Sequence, residues 1–350
     1  MLLELAILMV QISRRRLLQK AGATAIAATG IAGCLGQGGA SLDSVTVAYV
    51  PIYPNMQHFV MQEEGYYDEL SVDVTVERFS NGPSLVKAFA SGDIDVAIGG
   101  VTPAMVLVDR GANATVLTAN GRNAFKVMAT TDIADLYEQV GSDTFEQFEA
   151  ESGRKMRFGA PPDGSVPDVV LRYWIERDLG VGDFDTVVTK SKINPARSVQ
   201  TIQAGDIDAT MIMEPFATII GRDERFTELE WSGNIFPGHP MTGLFVNQRV
   251  LEATGVAQSL VDAHIRATQF VNANPNTAAA HAASVIGSGV SVELAEAAMQ
   301  SRAADFISDP RQIVDQTETM SEYVAEVGNI DEAVESDELF AFEPYESVRE

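Results

Sequence analysis

Gly92-Asp93-Ile94-Asp95 returns 113 residues later as Gly205-Asp206-Ile207-Asp208, and the same shift lays Asn81 on Asn194 and Val86 on Val199. A four-residue match alone is within reach of chance in a chain of 350 residues. The shared context makes it a constraint. In both copies an Asn stands where a helix N-cap belongs, an amphipathic stretch follows, Gly marks the helix end, and the tetrapeptide leads into an apolar strand. Around the first copy the pattern predicts strands at 45–50, 72–79, 94–98, 116–118 and 127–130, with helices at 57–64 and from Asn81-Gly82-Pro83 to Gly92. Around the second it predicts strands at 156–160, 186–189 and 209–213, with helices at 166–179 and from the Asn194 cap to Ala204. This alternation predicts doubly wound α/β architecture, and the echo predicts two lobes of it. After a strand at 243–247 the chain reads as helical, over 256–273, 276–287, 291–305 and 309–327.

Charge narrows the function. Acidic residues outnumber basic ones 49 to 24, for a formal net charge of −25, and the basic set holds 18 Arg but only 6 Lys. A nucleic-acid ligand would meet net repulsion, and no basic stripe offsets it. Few Lys with many Asp and Glu also fits adaptation to brine, where a Debye length of about 3 Å at molar salt suppresses self-repulsion. One cysteine and four scattered histidines provide no Cys/His metal site and no intramolecular disulfide. There is no G-x-S-x-G, Walker or H-E-x-x-H motif, so no enzymatic activity and no cofactor is expected. His58, His239, His264 and His281 stand far apart, His239 alone falling near an expected interlobe crossing. Trp174 reads as core, and Trp231 as part of a loop.

The N-terminus reads as an export address. Ser13-Arg14-Arg15-Arg16-Leu17-Leu18 precedes a short apolar, small-residue stretch ending in Ile31-Ala32-Gly33-Cys34. Residues 1–33 resemble a twin-arginine lipoprotein signal, which implies cleavage before Cys34, lipidation of its thiol and a flexible tether over 34–43. Residues 1–10 lie upstream of the arginines, where such a signal normally has nothing, so translation is expected to begin at Met9. The expected location is the extracellular face of the cell membrane.

Val45-Thr-Val-Ala-Tyr-Val, Glu64-Gly65-Tyr66-Tyr67, Ala90-Ser-Gly-Asp-Ile-Asp-Val-Ala-Ile-Gly-Gly, Gly164-Ser165, Ala204-Gly-Asp-Ile-Asp-Ala and Glu214-Pro215 occur in an order and spacing that carry a family likeness. Together they resemble the nitrate/sulfonate/taurine-type substrate-binding proteins of ABC importers, a group that also contains binders of thiamine-pyrimidine precursors. The likeness covers most of 44–345. It implies a two-lobed periplasmic-binding-protein-like fold of type II, with doubly wound sheets joined by two crossing strands near 127–131 and 241–247. Lobe 1 would be 44–130 plus 241–350, and lobe 2 would be 131–240. It also implies a monomer that takes a small-molecule ligand in the cleft and delivers it to ABC permease subunits. Enzymes on the same fold, of the pyrimidine-synthesis or menaquinone-pathway type, have no use for a lipoprotein leader. A sensor's ligand-binding subunit has the same sequence signature as an importer's.

Ligands of open α/β sheets bind beyond the carboxyl ends of the strands, where helix N-termini offer unpaired N–H groups. The turns meeting that description nominate Tyr53, Asn55, Asn81, Gly100, Thr102, Ser165 and Asn194 as ligand-binding residues. Glu214, ending a very apolar strand, would add a carboxylate. Lys190 and Lys192 are the cations expected nearby. A bare anion would be opposed by Glu214, so an amine-bearing ligand, a taurine-like zwitterion or an aminopyrimidine, is expected.

Overall fold

The computed structural model describes residues 42–287 and 289–349. The export signal, Cys34 and most of the tether lie outside these residues. The strands are β1 Ser44–Tyr49, β2 Asp73–Arg78, β3 Val96–Gly100, β4 Thr115–Ala119, β5 Gly121–Arg122, β6 Phe125–Thr130, β7 Met156–Ala160, β8 Val188–Lys192, β9 Ala209–Met213, β10 Phe226–Trp231, β11 Thr242–Val246 and β12 Asp305–Phe306. They form two five-stranded sheets of matching plan, β2-β1-β3-β11-β4 and β8-β7-β9-β6-β10, plus the small pair β12-β5. In the first sheet β1 runs parallel to β2 and β3, and β11 is antiparallel to β3 and β4. In the second, β7 runs parallel to β8 and β9, and β6 is antiparallel to β9 and β10. Each sheet is thus a parallel three-strand unit completed by two more strands, the inner of which is antiparallel and arrives from the other half of the chain.

The echoed residues explain how both sheets are built. Asn81 accepts from Ser84 N at 2.9 Å and Asn194 from Arg197 N at 2.9 Å, so each caps the helix that follows, Gly82–Ser91 or Pro195–Gln203. Gly92 (φ +80°) and Gly205 (φ +76°) take the left-handed conformation that stops those helices. Asp95 then exchanges bonds with β1: its own N–H reaches Thr46 O at 3.0 Å and its carboxylate accepts Thr46 N at 2.9 Å. Asp208 does the same with Arg157 of β7, at 2.8 Å in both directions. Each Asp therefore sets the register in which its parallel strand enters. Asp208 is also gripped by Arg154 and Arg157, which hold its carboxyl down at about 2 against the burial that would raise it.

Several boundaries move for local reasons. β3 extends through Gly99 and Gly100 instead of ending at Ile98, because both residues pair with β11, Gly99 with Gly243 and Gly100 with Thr242. β8 starts later than expected, since Asp183 accepts from Asp185 N and Thr186 N and winds Phe184–Val187 into a helical turn. The expected helix 291–305 is only Val292–Ala298, and 309–327 opens as the tight turn Pro310–Ile313 before Val314–Glu326. Trp231 lies at the end of β10, not in a loop, and Trp174 is fully buried as expected. The pattern missed helices Thr131–Val140 and Thr144–Ser152, and β10.

The crossings also lie earlier than expected. Strand 125–130, assigned from sequence to lobe 1, is hydrogen bonded inside the second sheet. The chain passes between sheets at Gly121–Asn123 and again at His239–Met241, where the two passages run side by side: Asn123 N donates to His239 O at 3.2 Å and Met241 N to Gly121 O at 3.2 Å. At Gly121 a Cβ would stand 2.4 Å from the Asp305 carbonyl oxygen, so only glycine admits the β5–β12 pairing beside the passage. Helices Thr254–Ala273 and Pro275–Ile286 pack against Met56–Glu63 and so enlarge the first lobe.

Candidate functional site

Tyr53, Pro54, Ala124, Met213, Glu214, Met241, Ala303 and Phe306 line a narrow crevice between the lobes, too tight in this state to admit a water molecule. Tyr53 and Pro54 follow β1, Met213 ends β9 with Glu214 directly after it, Ala124 follows the first passage and Met241 belongs to the second. The walls are apolar or aromatic except for one carboxylate. Tyr53 is 2 % exposed and its hydroxyl donates to Ala295 O at 2.9 Å. Burial, reinforced by the charge of Glu214, raises the phenol far above its ordinary value, so it remains a neutral donor.

Glu214 is 1 % exposed. Such a charge persists only if paired and hydrogen bonded. Its Oε2 accepts from Thr218 N at 3.0 Å and Thr218 Oγ1 at 2.7 Å, while Oε1 lies 3.1 Å from Lys126 Nζ. Lys126 stands 3.2 Å from Glu228 as well. Sheet register explains the grouping: Lys126 pairs with Ile212, two residues before Glu214, and Glu228 pairs with Met128, two residues after Lys126. Side chains two apart share a face, so β6, β9 and β10 present all three charges together.

Of the sequence-nominated residues, the structure brings Tyr53 and Glu214 to this crevice. Thr102, Gly100 and Ser165 meet elsewhere across the same interlobe surface. Thr102 Oγ1 donates to Gly164 O at 2.8 Å, a Cβ on Gly100 would touch Val166, and Ser165 Oγ donates to Pro162 O at 2.6 Å. Asn55 is fully buried and braces the strand ends, donating to Val50 O at 2.9 Å and Ile98 O at 3.2 Å. Asn81 and Asn194 are exposed, and their carbonyl oxygens are engaged as caps.

The expected cations are not free for a ligand. Lys190 is bound by Asp163 and the fully buried Asp168, and Lys192 by Asp163. These lysines hold the Asp163 carboxyl down at about 2 against its desolvation. The cation that does approach the cleft is Lys126, which the strand pattern of Phe125-Lys-Val-Met-Ala-Thr flags as the one charge in an apolar run. Phe306, Glu228 and Arg302 carried no comparable signal.

His239 lies within a passage and is fully buried, not a solvated loop residue. Its ring stacks on Phe125 at 5.6 Å and Nδ1 is 2.9 Å from Pro240 O. Among the described residues no group of His, Cys, Asp and Glu could hold a metal ion, and no helix is long and apolar enough to cross a membrane.

A family model described as NMT1-like matches residues 38–287. A provisionally named binding protein of Brucella abortus (strain 2308) is 23% identical over 220 residues, covering 62% of this chain and 63% of that protein, somewhat under two thirds of its length. Among solved structures, the periplasmic nitrate-binding protein NrtA from Synechocystis is similar with a TM-score of 0.74 at 14% identity, over 88% of each chain. The alkanesulfonate-binding protein SsuA from Xanthomonas axonopodis pv. citri, bound to MOPS, is similar with a TM-score of 0.69 at 15% identity, over 87% of this chain and 99% of that one. The fold is that of periplasmic binding proteins, as the paired sheets and double passage indicate.

Proposed function

The chain belongs to the NMT1-like family, and we propose that it is an extracellular, lipid-anchored solute-binding protein that takes a small amine-bearing solute between its lobes and delivers it to an ABC import permease. The observation that carries the ligand class is the Glu214 carboxylate in an otherwise apolar crevice. At an effective dielectric of about 20, Glu214 about 5 Å away would cost an anion roughly 3 kcal/mol, which Lys126, shared between Glu214 and Glu228, offsets only in part. One exposed helix terminus returns only about 0.3–1 kcal/mol. A bare anion such as nitrate or bicarbonate is therefore disfavoured. A taurine-like zwitterion or an aminopyrimidine, entering as the lobes part, would place its amine on Glu214 and its body against Tyr53, Phe306 and the two methionines.

Calorimetry on the wild type and on Glu214→Gln tests this reading, with taurine, an aminopyrimidine, nitrate and bicarbonate as probes. Lys126 keeps Glu228 as its partner in the variant, so the sheet face survives. The wild type should bind an amine-bearing probe, and the substitution should weaken it by about 30-fold or more, as for other buried charge pairs. Tight nitrate or bicarbonate binding that persists in Glu214→Gln, with no amine-bearing probe bound, would overturn the assignment. Lipid anchoring at Cys34 rests on the arginine pair, the short apolar region and Ile-Ala-Gly-Cys. Mass spectrometry of membrane-extracted protein should find a lipid-modified N-terminal Cys34, and an unprocessed soluble chain would refute the anchor.

A further inference from the structure

The Lys126–Glu214 pair is part of a longer chain of charges that spans both lobes. Lys126 also touches Glu228, and Glu228 is bridged by Arg302. Lys126 and Glu228 lie on β6 and β10 of the second sheet, and Glu214 directly follows β9. Arg302 follows helix Val292–Ala298, which packs on Pro275–Ile286 and so on the other lobe. Its guanidinium sits 4.7 Å over the Trp231 ring, whose Nε1 donates to Asn123 O at 2.8 Å in the first passage. The platform that receives Arg302 is thereby tied to the segment joining the lobes.

The sum of charges depends on whether the lobes meet. Lobe 2 alone presents two carboxylates and one ammonium, a net charge of −1 that attracts an amine. Closure adds Arg302 and brings the group to zero. Of the four groups only Glu214 lines the crevice, while Lys126, Glu228 and the half-exposed Arg302 act on it from outside; a ligand of zero net charge is tolerated there, and a bare cation or a bare anion leaves one unit uncompensated beside a buried carboxylate.

We infer that Arg302 is a specificity-determining residue: supplied by the opposite lobe, it completes the charge on closure and restricts the closed state to ligands that carry a cationic end but no net charge. The inference rests on the amine reading of the crevice for its ligand half and on the interlobe bridge alone for its closure half.

Two measurements separate those halves. In a Cys34→Ser background, Arg222→Cys and Glu293→Cys place thiols at an exposed ion pair that spans the lobes, 3.2 Å between side-chain ends in the native protein. Without ligand, the rate of bridging by a short bismaleimide reports the closed population. Arg302→Gln should slow it by about threefold or more, and Arg302→Lys should restore most of it, because the charge returns although the flat stacking surface does not. An unchanged rate in Arg302→Gln overturns the closure role.

Calorimetry then compares taurine, 2-aminoethanol and nitrate on the wild type and Arg302→Gln. The substitution should shift the ratio of taurine to 2-aminoethanol affinity by about threefold toward the cation, the size left to a half-exposed charge after solvent screening. An unchanged ratio overturns the charge discrimination. Failure of every probe to bind either protein overturns the crevice reading and the charge discrimination together, while the bridging rate decides the closure role by itself.

Discussion

Lowering the pH from 7.5 to 5 is expected to remove about 6 kcal/mol of folding stability, a large part of the 5–15 kcal/mol typical of a folded protein. The cause is three fully buried histidines. Desolvation pulls His58 and His264 down to about 3, and His239 to about 4, the last despite its bond to Pro240 O. Each has one ring nitrogen without a partner among the described residues: Nε2 of His58 and His239, and Nδ1 of His264. A second proton on any of these rings would sit in the interior with nothing to accept its bond.

The sign follows from proton counting. Below about 6.5 the unfolded chain protonates these histidines and the folded one does not. The stability from burying neutral rings is therefore complete above that value and is lost as pH falls toward the folded values, at about 1.4 kcal/mol per pH unit per ring. Urea midpoints at constant high salt across pH 7.5–5.0 measure it. A flat midpoint over that range would show that the rings become charged in place without penalty.

Replacing Asp168 by Ala should destabilise the protein by about 3 kcal/mol, near the lower bound for breaking a buried ion pair. Asp168 is fully buried, and its carboxylate bonds Lys190, lies 3.6 Å from Arg172 Nε, and accepts Gly164 N at 2.8 Å. Lys190, whose side chain is 7 % exposed, would keep only the more exposed Asp163. The lower bound applies because that partner remains. Since the Gly164 carbonyl receives Thr102 from the other lobe, loss of Asp168 should also loosen the interlobe surface. The double variant Asp168→Leu/Lys190→Met removes both charges and should recover much of the loss. Equal destabilisation in single and double variants, read from urea unfolding, would place the effect in side-chain volume and not in the stranded ammonium.

The legible part of the fold was the part written in local rules. Asn81 and Asn194 are caps because a short side-chain oxygen satisfies an exposed helical N–H, and Gly92 and Gly205 stop helices because they accept positive φ. Those signals act within a few residues and read the same in isolation. Glu214 was legible as an anomaly, a carboxylate closing the apolar run Ala209–Met213. Helix Thr131–Val140 was missed because it runs straight on from β6 with no side-chain cap to mark its start, and strand Phe226–Trp231 because its partner β6 lies far earlier in the chain.

By itself the sequence determined the two-lobed α/β plan, the echoed capping and strand-entry residues, and the placement of a carboxylate at the end of β9. Only the tertiary structure decided what that carboxylate meets. The antiparallel insertion of β6 between β9 and β10 brings Lys126 to Glu214, and chain return after residue 298 brings Arg302 to Glu228. It likewise decided that Asn55 braces the strand ends and that Lys190 and Lys192 are held by Asp163 and Asp168. The physical reason is range. Capping and strand patterning depend on neighbours in sequence, whereas the pairing of a charge depends on which oppositely charged group lies within about 4 Å in space, and here those partners are 22 to 102 residues away along the chain.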